Sequence, residues 1–281
     1  MGKRRTGVTV RDINRWLKQG FGSGVEGSYK PWLRVSDVPS KGRSRRVRGL
    51  KSGRVHHLLS DLEYAIFLMA EYSTLIVDIR EQFPLLPYGS TEVIAAEMGV
   101  RHPVYPESVT PVLMSHDFVL TMSEKAADRT PLAISAKYQW DDTAKNKRML
   151  EKLEIERRFA SKVGRMHWKL ITDAHFDPMI VSNLDWLHYG MRHDLPKEYR
   201  QIAPYLLPLL RSLDYQERRL SAVLTDLEKI PDLRGLSPSI AFKVAAWAGH
   251  LPLNLALEIR PRTIVKEMQP TRAVAELPHV A

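Results

Sequence analysis

Apolar residues in the first 175 positions alternate between helical spacing and strand spacing. Ser60 is a suitable N-cap, and it precedes a helical stripe formed by Leu62, Ala65, Ile66 and Met69. Further segments read as strands at 75–83, 117–122, 132–140 and 166–172, and as helices at 91–98 and 143–161. The strands at 117–122 and 132–140 are expected to pair in antiparallel fashion. This order of elements predicts a mixed α/β domain around a small central sheet.

The pattern changes after about residue 175, where helical spacing dominates. Helices are predicted at 182–188, 206–213, 215–230 and from Ser237-Pro238 to Gly249. The segments 255–260 and 263–268 alternate like a short β-ribbon, and helices followed by a ribbon are the outline of a winged helix. The predicted domains are therefore 1–174, α/β, and 175–281, mostly α and winged-helix-like, with a flexible tail from about 269.

Charge is distributed unevenly along the chain. The net charge is +10, yet residues 1–60 hold 15 Lys and Arg against three acids, so the remainder is slightly negative. A segregated basic excess is typical of a protein that binds a polyanion, and nucleic acid is the natural candidate. No apolar run is long enough to cross a membrane, so the sequence predicts a soluble, cytoplasmic protein. The chain has no cysteine, so a metal ion would be held by oxygen or imidazole.

The basic excess is densest in one short segment, 41–54, which contains no acid. Such a segment repels itself, so the sequence predicts a loop that becomes ordered on a partner. Phosphate contact is the favoured interpretation, and a solvated linker is the alternative. The residues predicted to bind DNA are Lys41, Arg43, Arg45, Arg46, Arg48, Lys51 and Arg54.

Three side chains are candidates for chemistry because of their positions on the predicted elements. Strand spacing places Ser135 and Lys137 on one face, and Asp117 opens the strand before theirs. If these strands pair, Asp117 and Lys137 can point into one cleft, and Glu63 would join them from its helix. Carboxylates bind Mg²⁺, and a nearby lysine can orient water and stabilise charge on a phosphate that is being hydrolysed.

Each of these residues also has an ordinary structural interpretation. Glu63 follows Ser60 by three positions, so the two form a capping box. Asp117 could cap a turn, and Lys137 could extend its ammonium from a strand edge into water. The spacing of these residues alone does not identify a nuclease. No Walker A, G-x-G-x-x-G or G-x-S-x-G sequence is present to support ATP, dinucleotide or serine-hydrolase chemistry.

Several longer blocks resemble the TnsA subunit family of Tn-seven-like transposons. They are the segments beginning at Arg48, Leu59, Asp78, Ser115, Ala133 and Leu150, namely RGLKSGR, LSDLEY, DIREQFPL, SHDFVLT, AISAKY and LEKLEIERR. The resemblance is strong over about 45–175, and beyond that it rests on the order of the elements.

The resemblance implies a restriction-endonuclease-like domain of the PD-(D/E)xK type followed by a winged helix. It also implies that Glu63 and Asp117 are catalytic carboxylates that bind metal and that Lys137 is the catalytic lysine. The family commonly has glutamine or an acid where this chain has Ser135, a weaker metal ligand that water or the Ala136 carbonyl could replace. Glu154 is a further possible ligand, and its alternative role is an ion pair with Arg157.

The same resemblance implies a function within a complex. The expected enzyme uses two Mg²⁺ ions, with Mn²⁺ as a substitute, and cleaves the 5′ strands of double-stranded transposon-end DNA. A TnsB-type transposase would act on the 3′ ends, and a TnsC-type regulatory ATPase would dock on the C-terminal domain. The alternatives are another nuclease of the same fold, of restriction or resolvase type, and a non-catalytic DNA-binding adaptor with a winged helix.

Overall fold

The computed structural model describes residues 6–38, 42–139 and 144–269. The chain divides into two compact units, with the boundary between His175 and Phe176. The sequence places a domain boundary at the same point, near residue 175.

Unit 1 begins with a short helix, α1, Val10–Lys18. Thr9 caps it: the Thr9 hydroxyl accepts a hydrogen bond from the backbone N–H of Asp12, and the Asp12 carboxylate accepts one from the backbone N–H of Thr9. Ile13 is fully buried on its inner side, in a cluster of apolar residues that includes Phe21 and Trp32. The cap and the buried face together fix this helix on the unit.

A hairpin follows, made of β1, Arg45–Arg48, and β2, Val55–Leu58, paired antiparallel. The prediction that this basic segment is a loop until a partner binds was therefore wrong. A buried acid stabilises the turn, because Oε2 of Glu71 accepts hydrogen bonds from the backbone N–H groups of Leu50 and Lys51, at 3.2 and 3.1 Å. The periodicity of the segment gave no sign of this distant acid.

The main sheet has four strands in the order β3-β4-β5-β6. They are β3, Ile76–Pro84; β4, Ser115–Met122; β5, Leu132–Ala136; and β6, His167–Ile171. The pairs β3–β4 and β4–β5 are antiparallel, and β5–β6 is parallel. This confirms four strands at the predicted places and the predicted pairing of the second with the third, but β5 ends at Ala136 whereas the prediction extended it to residue 140.

Three helices complete this unit: α2, Asp61–Tyr72; α3, Ser90–Glu97; and α4, Ala144–Phe159. The helix α4 provides the crossover that a parallel pair of strands requires, here β5 and β6. Ile155 and Phe159 of α4 pack with Ile94 and Ala95 of α3 in one apolar cluster. These contacts hold α4 beside the sheet and so fix the direction of its polar side chains.

Unit 2 is helical. Its helices are α5, Pro178–His188; α6, Lys197–Ile202; α7, Leu206–Leu210; α8, Leu213–Gln216; α9, Leu220–Leu227; and α10, Pro238–Trp247. The single helix predicted at 215–230 is broken between Gln216 and Leu220, where the N–H of Leu220 donates to the carbonyl of Thr263 at 2.9 Å. The start of α10 at Ser237-Pro238 is as predicted, with the Ser237 hydroxyl capping the helix.

The β-ribbon predicted at 255–268 is not formed in the part of this segment that the structure describes. The β-ribbon that would form the wing of a winged helix is therefore missing there. The reason is a buried side chain. Asn183 of α5 donates to the carbonyls of Leu255 and Leu257 at 2.8 and 2.6 Å, and its Oδ1 accepts from the N–H of Ile259 at 3.1 Å. Leu255 and Leu257 lie in a turn, in which the N–H of Leu257 also donates to the carbonyl of Asn254 at 3.1 Å, so the asparagine holds this segment as a turn instead of a strand.

Candidate active site

Glu63 lies in the first turn of α2 and is buried. Its Oε1 accepts a hydrogen bond from the Ser60 hydroxyl at 3.2 Å, and its Oε2 accepts one from the backbone N–H of Leu59 at 2.9 Å. The structural role that the sequence suggested is therefore present. Burial, and after it the charge of Asp117, raise the pKa of Glu63 to about 8. The cap residue is thus also one of a pair of interacting carboxylates.

Asp117 and Lys137 lie side by side where β4 and β5 pair. Oδ2 of Asp117 accepts hydrogen bonds from the backbone N–H of Ala136 at 2.6 Å and from Nζ of Lys137 at 3.3 Å. Nζ of Lys137 also donates to the carbonyl of Ala136 at 2.7 Å. The charge of Asp117 is the main cause of a raised pKa at Lys137, which keeps the ammonium protonated.

Ser135 does not face this pair as a free ligand. Its hydroxyl donates to a carboxylate oxygen of Glu156 and accepts a hydrogen bond from Nε1 of Trp168 at 3.0 Å. The side chain is fully buried, so these two contacts fix it. Ser135 therefore holds Glu156 in place in this structure.

Glu156 is a site residue that the sequence analysis missed. Burial raises its pKa to about 7, with the charge of Asp117 as the second cause, and the charge of Lys137 acts in the opposite direction. It is on α4 two residues after Glu154, the residue that the sequence analysis named as a possible further ligand. A signal was available, because Glu156 is three residues after the buried Leu153 and three before the buried Phe159.

Glu154 is placed differently from the expectation that it binds metal. Its carboxylate pairs with Arg157 and with Arg158, each at 2.7 Å. The hydrogen bond from Arg157 is the largest of the causes that lower its pKa to about 2. The ion-pair alternative that the sequence offered is therefore the one that the structure contains.

Gln82 is a second residue that the sequence did not single out. Its register on β3 places it across from Asp117, between the pairs Glu81–Phe118 and Phe83–His116. It is buried, and its φ of 48° lies in the left-handed region that few residues other than glycine adopt. Its side-chain Nε2 donates to Oε2 of Glu63 at 3.3 Å. No sequence pattern predicts such a backbone conformation in a strand.

The site thus combines several acids with Lys137, and Lys152 of α4 also acts on Glu156. Asp117 raises the pKa of both Glu63 and Glu156, so the carboxylates repel one another and Lys137 only partly compensates them. A bound cation would relieve this repulsion, and oxygen donors suit a hard divalent ion. Within residues 6–38, 42–139 and 144–269, no three acidic or histidine side chains are close enough to form a complete metal cage. Ligands for a metal ion would be Glu63 and Asp117, completed by water or the Ala136 carbonyl.

The predicted DNA-binding residues divide into two groups. Arg54 pairs with Glu81 and donates to the carbonyl of Ile79 at 2.8 Å, and Lys51 donates to the carbonyls of Ser73 and Ile76. These two side chains face inward, contrary to the prediction. Arg45 is partly engaged, with Asp61 at 2.7 Å and with the ring of Tyr64.

The exposed members of the segment are Arg43, Arg46 and Arg48. Arg48 also donates to the carbonyl of Gly53 at 3.1 Å. Lys41 lies outside the described residues. Three of the seven predicted cations therefore present their charge to solvent in the described hairpin.

Asp117 of the sheet, Glu63 of α2 and Lys137 directly after β5 form a group of two carboxylates and an ammonium that would suit the hydrolysis of a phosphodiester bond. The family described as "TnsA-like endonuclease N terminal" matches residues 73–173. The chain is also 40% identical over 205 residues to the transposon Tn7 transposition protein TnsA of Escherichia coli, which covers 73% of this chain and 72% of that protein. The chain belongs to the TnsA family of transposition endonucleases. No helix that the structure describes has the length and apolarity needed to cross a membrane.

Proposed function

We propose that this chain is the Mg²⁺-dependent endonuclease of a cut-and-paste transposase and hydrolyses the 5′ strand at each transposon end. The observation that carries the proposal is the convergence of Asp117 and Lys137, 3.3 Å apart, beside the buried Glu63 whose pKa Asp117 raises. Carboxylates and an ammonium group held together are what the hydrolysis of a phosphodiester requires. Membership of the TnsA family supports the substrate and the setting.

Each residue has a distinct part in the proposed reaction. Glu63 and Asp117 would hold the metal, which would polarise the scissile phosphate and lower the pKa of a water molecule. Two hydrogen bonds, from Nζ to the Ala136 carbonyl and to Asp117, orient the Lys137 ammonium. From that position the ammonium can orient the attacking water and stabilise the negative charge that develops on the phosphate.

The proposed partners follow from the surfaces and the family. Double-stranded DNA at the transposon ends would contact the exposed arginines Arg43, Arg46 and Arg48. A TnsB-type transposase would cut and join the 3′ ends. We propose that unit 2, without the predicted wing, docks a TnsC-type ATPase through its helices. The recognition helix expected of a DNA reader is α10, and its one cation, Lys243, is buried against the carbonyl of Tyr189 at 2.6 Å.

Strand mapping in a reconstituted transposition reaction tests the proposal. The full chain is combined with its transposase and ATPase partners and end-labelled transposon DNA, with Mg²⁺, with Mn²⁺ or with a chelator. We expect nicks at the 5′ strands that appear with either metal and vanish with the chelator. Cleavage that continues in the chelator, or nicks confined to the 3′ strands, would contradict it. If the Asp117→Asn variant cleaved the 5′ strand as before, the result would favour a non-catalytic adaptor role for this chain.

A further inference from the structure

The outer side of α1 is a basic face, formed by residues of this helix and of its C-cap. It is lined by Arg11, Asn14, Arg15, Lys18 and Gln19. Of these residues, Arg15 pairs with Asp12 of the same helix at 2.8 Å, so its charge is partly compensated. Arg11, Asn14 and Lys18 have no side-chain partner among the residues that the structure describes, and all three are exposed. An exposed helix face with free cations at Arg11 and Lys18 is suited to an anionic partner.

The helix is rigidly mounted, which distinguishes it from a solvated basic tail. Its inner face is held by Ile13 in the apolar cluster, and Nζ of Lys30 donates to the carbonyl of Gln19 at its C-terminal end at 2.9 Å. Two residues further on, the N–H of Trp32 donates to the carbonyl of Gln82 at 3.2 Å. A chain of direct contacts therefore joins α1 to the strand that borders the catalytic carboxylates.

We propose that this face of α1 binds the phosphates of duplex DNA and holds the substrate beside the cleavage site. The proposal rests on the proposed nuclease function. Arg11, Arg15 and Lys18 span seven residues, about 10 Å along the helix axis. One strand of B-DNA presents about three phosphates over that length, at 3.4 Å each. The amides of Asn14 and Gln19 can donate to the same phosphates.

The competing partner is an acidic protein surface. Duplex DNA is favoured because every side chain that lines this face ends in a cation or an amide, the donors that bind phosphates, and none is an aromatic or aliphatic residue. The excess of basic residues in 1–60 also includes the exposed arginines of the hairpin. The contacts would position DNA without reading its sequence.

The test compares two triple variants of the full chain, each made in the Asp117→Asn background so that DNA is bound and not cut. One carries Arg11→Gln, Arg15→Gln and Lys18→Gln. The matched control removes the same charge elsewhere on unit 1, with Arg101→Gln, Lys125→Gln and Arg129→Gln, all exposed positions. The binding of a fluorescent duplex oligonucleotide is measured by anisotropy between 50 and 200 mM salt, and folding is checked by thermal melting.

We expect the α1 variant to bind on the order of tenfold more weakly at low salt, with a salt slope shallower by about two to three units, and the control to change little. Equal losses in both variants would show a general effect of net charge and overturn the proposal. Unchanged DNA binding with loss of a partner protein from the reconstituted complex would show a protein-docking face and overturn it too. The Mg²⁺ dependence of 5′ cleavage tests the nuclease function separately, because it does not depend on these cations.

Discussion

The side chain of Gln82 donates a hydrogen bond to Glu63 across 3.3 Å, from a residue whose backbone has left the strand conformation of its neighbours. The φ of 48° costs free energy for a residue with a side chain. The carbonyl of Gln82 is satisfied by the N–H of Trp32, which holds the distorted segment in place. Gln82 therefore positions a carboxylate, Glu63, that we propose as a metal ligand.

Removing this donor should weaken metal binding while the chain stays folded. We expect Gln82→Met to lower Mn²⁺ affinity and cleavage by about 10- to 100-fold, as for other residues that orient metal ligands. Excess metal should restore part of the activity. The measurements are Mn²⁺ titration calorimetry and cleavage as a function of Mg²⁺ concentration. Gln201→Met, the same change at an exposed position of unit 2, is the control. If the two variants bound Mn²⁺ with equal affinity, Gln82 would not position Glu63 for metal binding.

The ion pair of Asp117 and Lys137 should matter for cleavage far more than for stability. Both side chains retain some exposure, 19% and 34%, so the pair contributes on the order of 1 kcal/mol or less to folding. We therefore expect Asp117→Asn and Lys137→Met to abolish 5′ cleavage with little change in thermal melting. A folded variant that still cleaves the 5′ strand would show that its side chain is not catalytic.

Glu154 and Glu156 provide an internal comparison on one helix. We expect Glu156→Gln to reduce cleavage strongly, because its carboxylate interacts with Asp117 and Lys137. Glu154→Gln should leave cleavage unchanged, because it removes only partly exposed ion pairs to Arg157 and Arg158. Single-turnover cleavage by the two variants, each compared with the unmodified chain, decides between the two positions. If Glu154→Gln reduced cleavage strongly and Glu156→Gln did not, Glu154 would be the site residue.

Part of this site followed from the sequence and part of it depended on packing. The period of two along strands brought Asp117 and Lys137 together, since only adjoining antiparallel strands were needed. Two acids that are two residues apart lie on different sides of a helix. Choosing between Glu154 and Glu156 therefore required knowing which side of α4 faces the sheet. The role of Gln82 could not be predicted, because it depends on a distorted backbone that tertiary contacts stabilise.

The basic hairpin is a case in which the fold, too, could not be predicted from the local sequence. The density of cations predicted a loop because the sequence analysis considered the segment alone. In the structure, Glu71 and Glu81, which lie outside the segment, bind its backbone and Arg54. Contacts between residues more than 15 positions apart leave no local signature in a single sequence. The ribbon predicted at 255–268 failed for the corresponding reason, because Asn183 supplies the hydrogen bonds.

Glu81 should make unit 1 sensitive to acid. Burial acts to raise its pKa, but hydrogen bonds from Arg54 and His56 prevail and lower it to about 2 from 4.5. A carboxylate with a lowered pKa stabilises the fold above the pKa of the unfolded chain, and that stabilisation is lost as pH falls from 4.5 towards 2. The full effect is about 3 kcal/mol.

The measurement for Glu81 is hydrogen exchange of the β3 amides, which reports on unit 1 alone, at pH values from 6 to 3. We expect Glu81→Gln to be less protected than the unmodified chain at pH 6, and the difference to shrink as pH falls below 4.5. A difference that stays constant over this range would show that protonation of Glu81 does not control the acid response.

Asn183 should be essential for the segment that follows α10. Besides its bonds to Leu255, Leu257 and Ile259, its Oδ1 accepts a hydrogen bond from Nη1 of Arg260 at 2.9 Å. Asn183→Leu keeps the size of the side chain but leaves two buried carbonyls and an N–H without partners. Each unsatisfied group costs about 1–3 kcal/mol, so we expect a loss of about 3–5 kcal/mol, confined to unit 2.

The control for Asn183 is Asn254→Leu, which removes a single local hydrogen bond, from the N–H of Ala256 to Oδ1 at 3.1 Å. Hydrogen exchange of the amides from 255 to 260 measures the effect directly. We expect protection to be lost in Asn183→Leu and largely kept in Asn254→Leu, while β3 and β4 of unit 1 exchange as before. If the two variants lose protection equally, the segment is held by its apolar contacts and Asn183 does not determine its conformation. A selective loss would show that one buried amide, absent from any local pattern, holds this segment in its turn.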